Sequence, residues 1–150
     1  MTTTEKYIQT LTEARTRFAN LLSGITEADL PKKVGLAKNS AGFLIRHIAD
    51  VELLFAKNVF GGNDVKVHAK TVAAVMDTGE WTNLSELIDY QKLSFETLIS
   101  IISTQSDEDW ETIITTNEFG TKSKAEALGR IVSHTAYHAG QLALILKYGV

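Results

Sequence analysis

Apolar residues recur every three to four positions through four segments of this chain, and its single proline, Pro31, falls between segments rather than within one. That spacing marks an amphipathic helix, because positions i, i+3, i+4 and i+7 share one face of a 3.6-residue turn. No convincing Asn-Gly or Asp-Gly hairpin separates alternating runs. Four long helices are therefore expected.

The first runs from about Thr4 to Leu22, with Tyr7, Leu11, Ala14, Phe18 and Leu22 as its stripe and Ser23-Gly24 as its end. A connection follows, with one short turn at Thr26 to Leu30. The second helix starts near Ser40, a good cap, and ends at Gly61-Gly62. Its stripe holds Phe43, Leu44, His47, Val51, Leu54 and Phe55. Residues 63 to 82 form a long connection with a helical piece around Val72 to Met76. The third helix opens at Asn83, three residues before Glu86, and carries Leu87, Ile88, Gln91, Phe95, Leu98 and Ile102 on one side. A connector with a short helical start capped by Ser106 leads to the fourth helix. Ser123 and Glu126 form a capping box there, and the helix continues to about Lys147. Its stripe is Leu128, Ile131, His134, His138, Gln141, Leu142 and Ile145.

Four such stripes are best buried against one another, so the expected fold class is all-α, a four-helix bundle with long connections between helices two and three and between three and four. The 150 residues suit one domain spanning 1–150. Hydrophobic residues make up 44% of the chain, enough for a core without metal or disulfide staples.

Composition also narrows the function. A net charge of −3 and the lack of a dense Lys/Arg stripe argue against nucleic acid as a partner. The absence of cysteine removes thiolate metal sites and a cysteine nucleophile. The opening "MTTTEKYIQT" has no basic segment before an apolar run, and no stretch reaches membrane-spanning length. A cytoplasmic protein with no membrane partner is the expectation.

Three of the four histidines lie on the apolar stripes. His134 and His138 are four apart and so share a face, and His47 occupies the middle of another helix's stripe. A buried histidine left without partners costs about 1–3 kcal/mol per unsatisfied group. One divalent cation satisfies three imidazoles together, taking one nitrogen from each. Each ring bonding its own separate neighbours is the plainer alternative. Three nitrogen ligands leave coordination positions open, as catalytic ions require, and they favour zinc or nickel. Thr135 follows His134, which excludes the H-E-x-x-H protease pattern, and no Glu-x-x-His pair of the ferritin type is present. Asp50, Gln91 and Gln141 are candidates to orient ligands or substrate. For Gln141 an amide joining two helices is the simpler role, and close approach of another helix explains Gly140. Arg46 and Tyr137 adjoin the histidines in sequence but point elsewhere, His68 is expected at the surface, and Trp81 and Trp110 should plug the bundle ends.

The segments "SAGFLIRHIADVE" and "SHTAYHAGQL" resemble the second-helix and fourth-helix metal-binding segments of the DinB family of four-helix bundles, also called DinB/YfiT-like. The long second connection and the "SDEDW" connector fit the family layout. The resemblance implies a divalent metal on His47, His134 and His138. It also implies kinship with transferases that use a low-molecular-weight thiol, such as bacillithiol or mycothiol, and with metal-dependent hydrolases; homodimers are common in the family. Members often carry a basic residue where this chain has Ala139, so a ligand held by that residue would differ here. The resulting expectation is a metal-dependent enzyme that transfers a thiol to a small electrophilic substrate or hydrolyses one. A non-catalytic metal-binding, small-ligand-binding or association bundle is the alternative. Thiol chemistry would need an incoming thiol, since the chain supplies none.

Overall fold

The computed structural model of the chain describes residues 1–74 and 76–150. The element order is α1 (Thr3–Leu22), α2 (Ala41–Asn58), α3 (Lys70–Ala73), α4 (Leu84–Ile102), α5 (Asp107–Trp110), β1 (Ile113–Thr116), β2 (Gly120–Ser123) and α6 (Lys124–Tyr148), with a 3₁₀ turn at Glu27–Asp29. Helices α1, α2, α4 and α6 are the four expected from periodicity. Their starts are set by side-chain caps: Thr2, Ser40, Asn83 and Ser123 each accept the backbone N–H three residues on. Ser123 with Glu126 forms the full capping box, as does Thr2 with Glu5 at the chain start. No helix among the described residues is long and apolar enough to cross a membrane.

Helix α2 packs against α4 and α6, and α1 packs against α6 and α4. Consecutive helices α1 and α2 thus lie across the bundle from each other, which is why the chain needs more than a short turn to join them. The core is split in two. One apolar cluster gathers Phe18, Leu44, Ile48, Leu87, Leu142 and Ile145. The other gathers Leu11, Val51, Phe55, Leu98, Leu128 and Ile131. Along every long helix, the turn between the two clusters is polar: Arg15 on α1, Asp50 and Glu52 on α2, Gln91 and Ser94 on α4, Thr135 on α6.

Arg15 reaches through this layer to the opposite helix. Its Nε donates to Glu52 Oε1 at 2.8 Å, and its Nη2 donates to Gln91 Oε1 at 2.9 Å. The Ser94 hydroxyl lies 2.9 Å from Glu52 Oε2, and the guanidinium is flanked by the Phe18 and Phe95 rings. Glu52 is 1% exposed. Burial pushes its carboxyl up, and Arg15 and Ser94 draw it back.

Four expectations need correction. Residues 113–123 are not simple connector: β1 and β2 form an antiparallel hairpin with Thr116 opposite Gly120. The β-branched run Ile113-Ile114-Thr115-Thr116 favours a strand, and Gly120 supplies the positive φ that closes the loop. The helical piece expected at Val72 to Met76 is instead Lys70–Ala73; residue 75 lies outside the described residues. Helix α2 stops at Asn58, short of Gly61-Gly62. Gly140 faces open space among the described residues; a close approach of the expected kind occurs instead at Gly42, where any Cβ would overlap the Trp81 carbonyl oxygen. The tryptophans belong to opposite clusters, Trp81 to the first and Trp110 to the second, where Trp110 Nε1 donates to Thr4 Oγ1 at 2.8 Å.

Arg15→Met should destabilise the fold by about 3–5 kcal/mol, because it strands a buried carboxylate. Adding Glu52→Leu should recover most of that loss. Urea denaturation at pH 7 measures both; additive losses in the double variant would contradict the pairing.

Candidate metal centre

His47 lies in the middle of α2, and His134 and His138 lie one turn apart on the neighbouring α6. Packing of α2 on α6 brings all three rings together. One nitrogen from each lies within 4.8 Å of the other two. Nε2 of His134 is 3.1 Å from Nε2 of His47, and the His134 and His138 ring centroids are 4.4 Å apart. Two nitrogens bound to one zinc-sized ion at a tetrahedral angle sit roughly 3.3 Å apart. The His47–His134 pair therefore has the separation of shared ligands, while the triad as a whole is slightly more open.

The outward nitrogens determine which atoms face inward. Thr71 Oγ1 donates to Asp50 Oδ2 at 2.7 Å, and Thr71 N donates to the same oxygen at 3.1 Å. With its proton committed, that hydroxyl accepts from His47 Nδ1 at 3.1 Å. His47 then carries its hydrogen on Nδ1 and presents the Nε2 lone pair to the centre. His138 is set the same way, with Nδ1 2.7 Å from Gln141 Oε1. The inner nitrogens of these two rings are thus lone pairs with no hydrogen of their own. His134 Nδ1 is buried without a partner among the described residues. Three inward nitrogens, two of them with fixed tautomers, are a donor set that fits a divalent cation.

Asp50 anchors this arrangement. It is fully buried, and besides Thr71 it accepts from Tyr90 Oη at 2.6 Å and Arg46 Nε at 2.9 Å. Burial and the Asp50 charge push the Tyr90 phenol upward. Burial pushes the imidazoles the other way. His47 falls to about 4, through burial first and then repulsion from His138, with Asp50 opposing. His134 falls to about 3, through burial and the charges of His138, His47 and Arg130. Burial also lowers His138, while its bond to Gln141 opposes that. All three rings are neutral near pH 7, as ligation requires.

Of the other residues singled out from the sequence, two adjoin the histidines. Asp50 acts through Thr71, and it is a buried carboxylate rather than a solvated one. Gln141 bonds His138 on its own helix and, among the described residues, makes no hydrogen bond to a second helix. Gln91 belongs instead to the Arg15 network. His68 is exposed, as expected, and only its backbone carbonyl takes part, accepting from Arg46 Nη2 at 3.1 Å. The Arg46 guanidinium lies over the Tyr90 ring and pairs with Asp50. Tyr137 is exposed but sets its ring edge-on to His138 at 5.1 Å. Thr71 and Tyr90 were not foreseen. Thr71 comes from an irregular segment with no periodic signal, and its part depends on how the connection is routed.

The DinB superfamily model matches residues 10–142, and the chain belongs to that superfamily. No curated protein sequence matches it. Among solved structures, it is similar to the mycothiol-dependent maleylpyruvate isomerase, with a TM-score of 0.72 and 17% identity over 93% of this chain. It spans only 60% of that enzyme's length. It is also similar to YfiT from Bacillus subtilis, described as a probable metal-dependent hydrolase with an unusual four-helix bundle topology. There the TM-score is 0.71 at 13% identity, covering 96% of this chain and 86% of the other. A conserved protein from Enterococcus faecalis gives 0.65 at 19% identity, covering 98% of this chain and 99% of the other. At these identities the likeness establishes the shared bundle.

The depressed histidines make a pH prediction for the metal-free protein. In the unfolded chain each titrates near 6.5, while in the fold His47 and His134 stay neutral down to about 4 and 3. Between those values the unfolded state binds more protons, so stability falls as pH drops from 6.5 toward 4. Urea midpoints at pH 7.5 and 5 should differ more for the wild-type chain than for the triple variant His47→Gln, His134→Gln, His138→Gln. An equal drop in both would place the acid sensitivity elsewhere.

Proposed function

We propose that this chain, acting as one domain, is a metal-dependent enzyme in which His47, His134 and His138 hold one divalent cation. The convergence of three neutral imidazoles from α2 and α6 carries this reading. Zinc and nickel suit an all-nitrogen donor set of this size. Three protein ligands leave room for an exogenous group, the arrangement of catalytic rather than structural ions. A bound divalent ion supplies Lewis acidity, lowering the pKa of a thiol or water so that it becomes a nucleophile near neutral pH.

The chain's own residues prepare the site for that chemistry. Thr71, held by Asp50, fixes the His47 tautomer, and Gln141 fixes that of His138. The three rings are half-buried, and Phe43 stacks on His47. The absence of cysteine means that any thiol nucleophile arrives as a co-substrate. Transfer of a low-molecular-weight thiol to a small electrophile is the preferred reaction, in keeping with the bundle's likeness to a mycothiol-dependent isomerase. Hydrolysis of a small substrate is the second reading, in keeping with the likeness to YfiT.

Purified protein should carry close to one divalent ion per chain by elemental analysis, and His47→Ala and His138→Ala should each lose it. Full metal content in those variants would refute the ligand set. Thr71→Val should weaken zinc binding about 10- to 100-fold in competition with a chromophoric chelator, while Thr71→Ser stays near wild type. Thiol conjugation and ester hydrolysis, assayed with and without EDTA, then separate the reactions; rates indifferent to EDTA would sink metal catalysis.

A further inference from the structure

One turn beyond the histidines, toward the start of α2, the segment preceding that helix and the last turns of α6 enclose a cavity of about 250 Å³. None of the three histidines lines it; its nearest link to them is along the helices. Leu44 precedes His47 by one turn on α2, and Gln141 follows His138 by one turn on α6. Val34, Leu44, Leu144 and Ile145 make the cavity largely apolar. Its polar groups are Lys38, Asn39 and Gln141, and no carboxylate lines it among the described residues.

These polar groups are rich in unused donors. Gln141 directs Oε1 to His138, which leaves its amide NH₂ as the free end. Lys38 enters no ion pair among the described residues. The Asn39 side chain likewise makes no hydrogen bond among them. An ammonium and two amides around an apolar pocket are complementary to an anionic oxygen carried on an apolar body. The volume lies below the roughly 300–1,000 Å³ of pockets for drug-sized ligands, which restricts the body to a single ring or a short chain.

We infer that this cavity binds a small carboxylate with an apolar body. Gln141 lines the cavity and bonds the outward Nδ1 of His138, so a bound carboxylate lies behind that ring.

The test is an NMR titration of the full chain with phenylacetate and with its neutral isostere phenylacetamide. Phenylacetate should give saturable shifts at the backbone amides of Val34, Lys38, Leu144 and Ile145, and phenylacetamide should bind about fivefold more weakly. Lys38→Glu, on the exposed segment, should weaken phenylacetate about tenfold and erase the preference for acid over amide. Leu144→Trp, at a half-exposed position, should fill the cavity and abolish binding of both. Shifts centred elsewhere, equal affinity for acid and amide, or an unchanged affinity in Lys38→Glu would overturn the site. If Leu144→Trp fails to fold, Lys38→Glu decides. Zinc content is read on the same sample. Phenylacetate bound without zinc upholds the carboxylate site and overturns the metal reading, whereas zinc bound without saturable phenylacetate shifts overturns the carboxylate site alone.

Discussion

The bundle is organised around a guanidinium placed where a purely apolar core would have a leucine. Arg15 crosses from α1 to Glu52 on the opposite helix and collects Gln91 from α4 on the way. A buried pair of this kind does not repay its desolvation by attraction alone; it becomes tolerable when every hydrogen-bonding position around it is occupied. That demand fixes the rotation and axial offset of α1, α2 and α4 together. A slip along any of them would separate a charge from its partner. The polar layer also divides the apolar core in two, and the histidines sit at the same level on the α2–α6 side.

The two buried carboxylates of α2 lie two residues apart. Glu52 faces Arg15, while Asp50 faces Thr71, Tyr90 and Arg46. Two residues apart on a helix means roughly opposite faces, so one helix serves both networks without either sharing a ligand. Placing the candidate cation site beside a rigid charged layer also answers a physical need. Imidazoles that must stay neutral and oriented require acceptors that do not move, and Asp50 is held by four donors.

The four long helices were legible because each runs over many turns with an unbroken stripe, and because their caps use ordinary Ser and Asn chemistry. The histidine triad was legible for the same reason: spacing on α6 puts two rings on one face, and His47 interrupts a stripe where a leucine would be expected. Other features lay beyond what periodicity carries. It gives the buried face of α4 but not which neighbour that face meets, so Gln91 was grouped with the histidines when it serves Arg15. Four-residue strands are too short for alternation to declare itself, and only the β-branched run before Asn117 hinted at the hairpin. Glycine offers no marker of its own environment: Gly140 is open to solvent, whereas Gly42 is pressed against backbone. Thr71 could not be found locally, because its partners Asp50 and His47 lie 21 and 24 residues away.

The connection between α2 and α4 is tied back to α2 along its length. Asp77 accepts from Ser40 at the cap, the Trp81 carbonyl crosses Gly42, the His68 carbonyl accepts from Arg46, and Thr71 donates to Asp50. This segment behaves less as a loop than as a splint laid along the helix that bears His47. Its evolutionary freedom is correspondingly narrow. A lineage that enlarged residue 42 would have to reroute the backbone at Trp81, and that detour would reach the hydroxyl that orients the imidazole five residues further along α2.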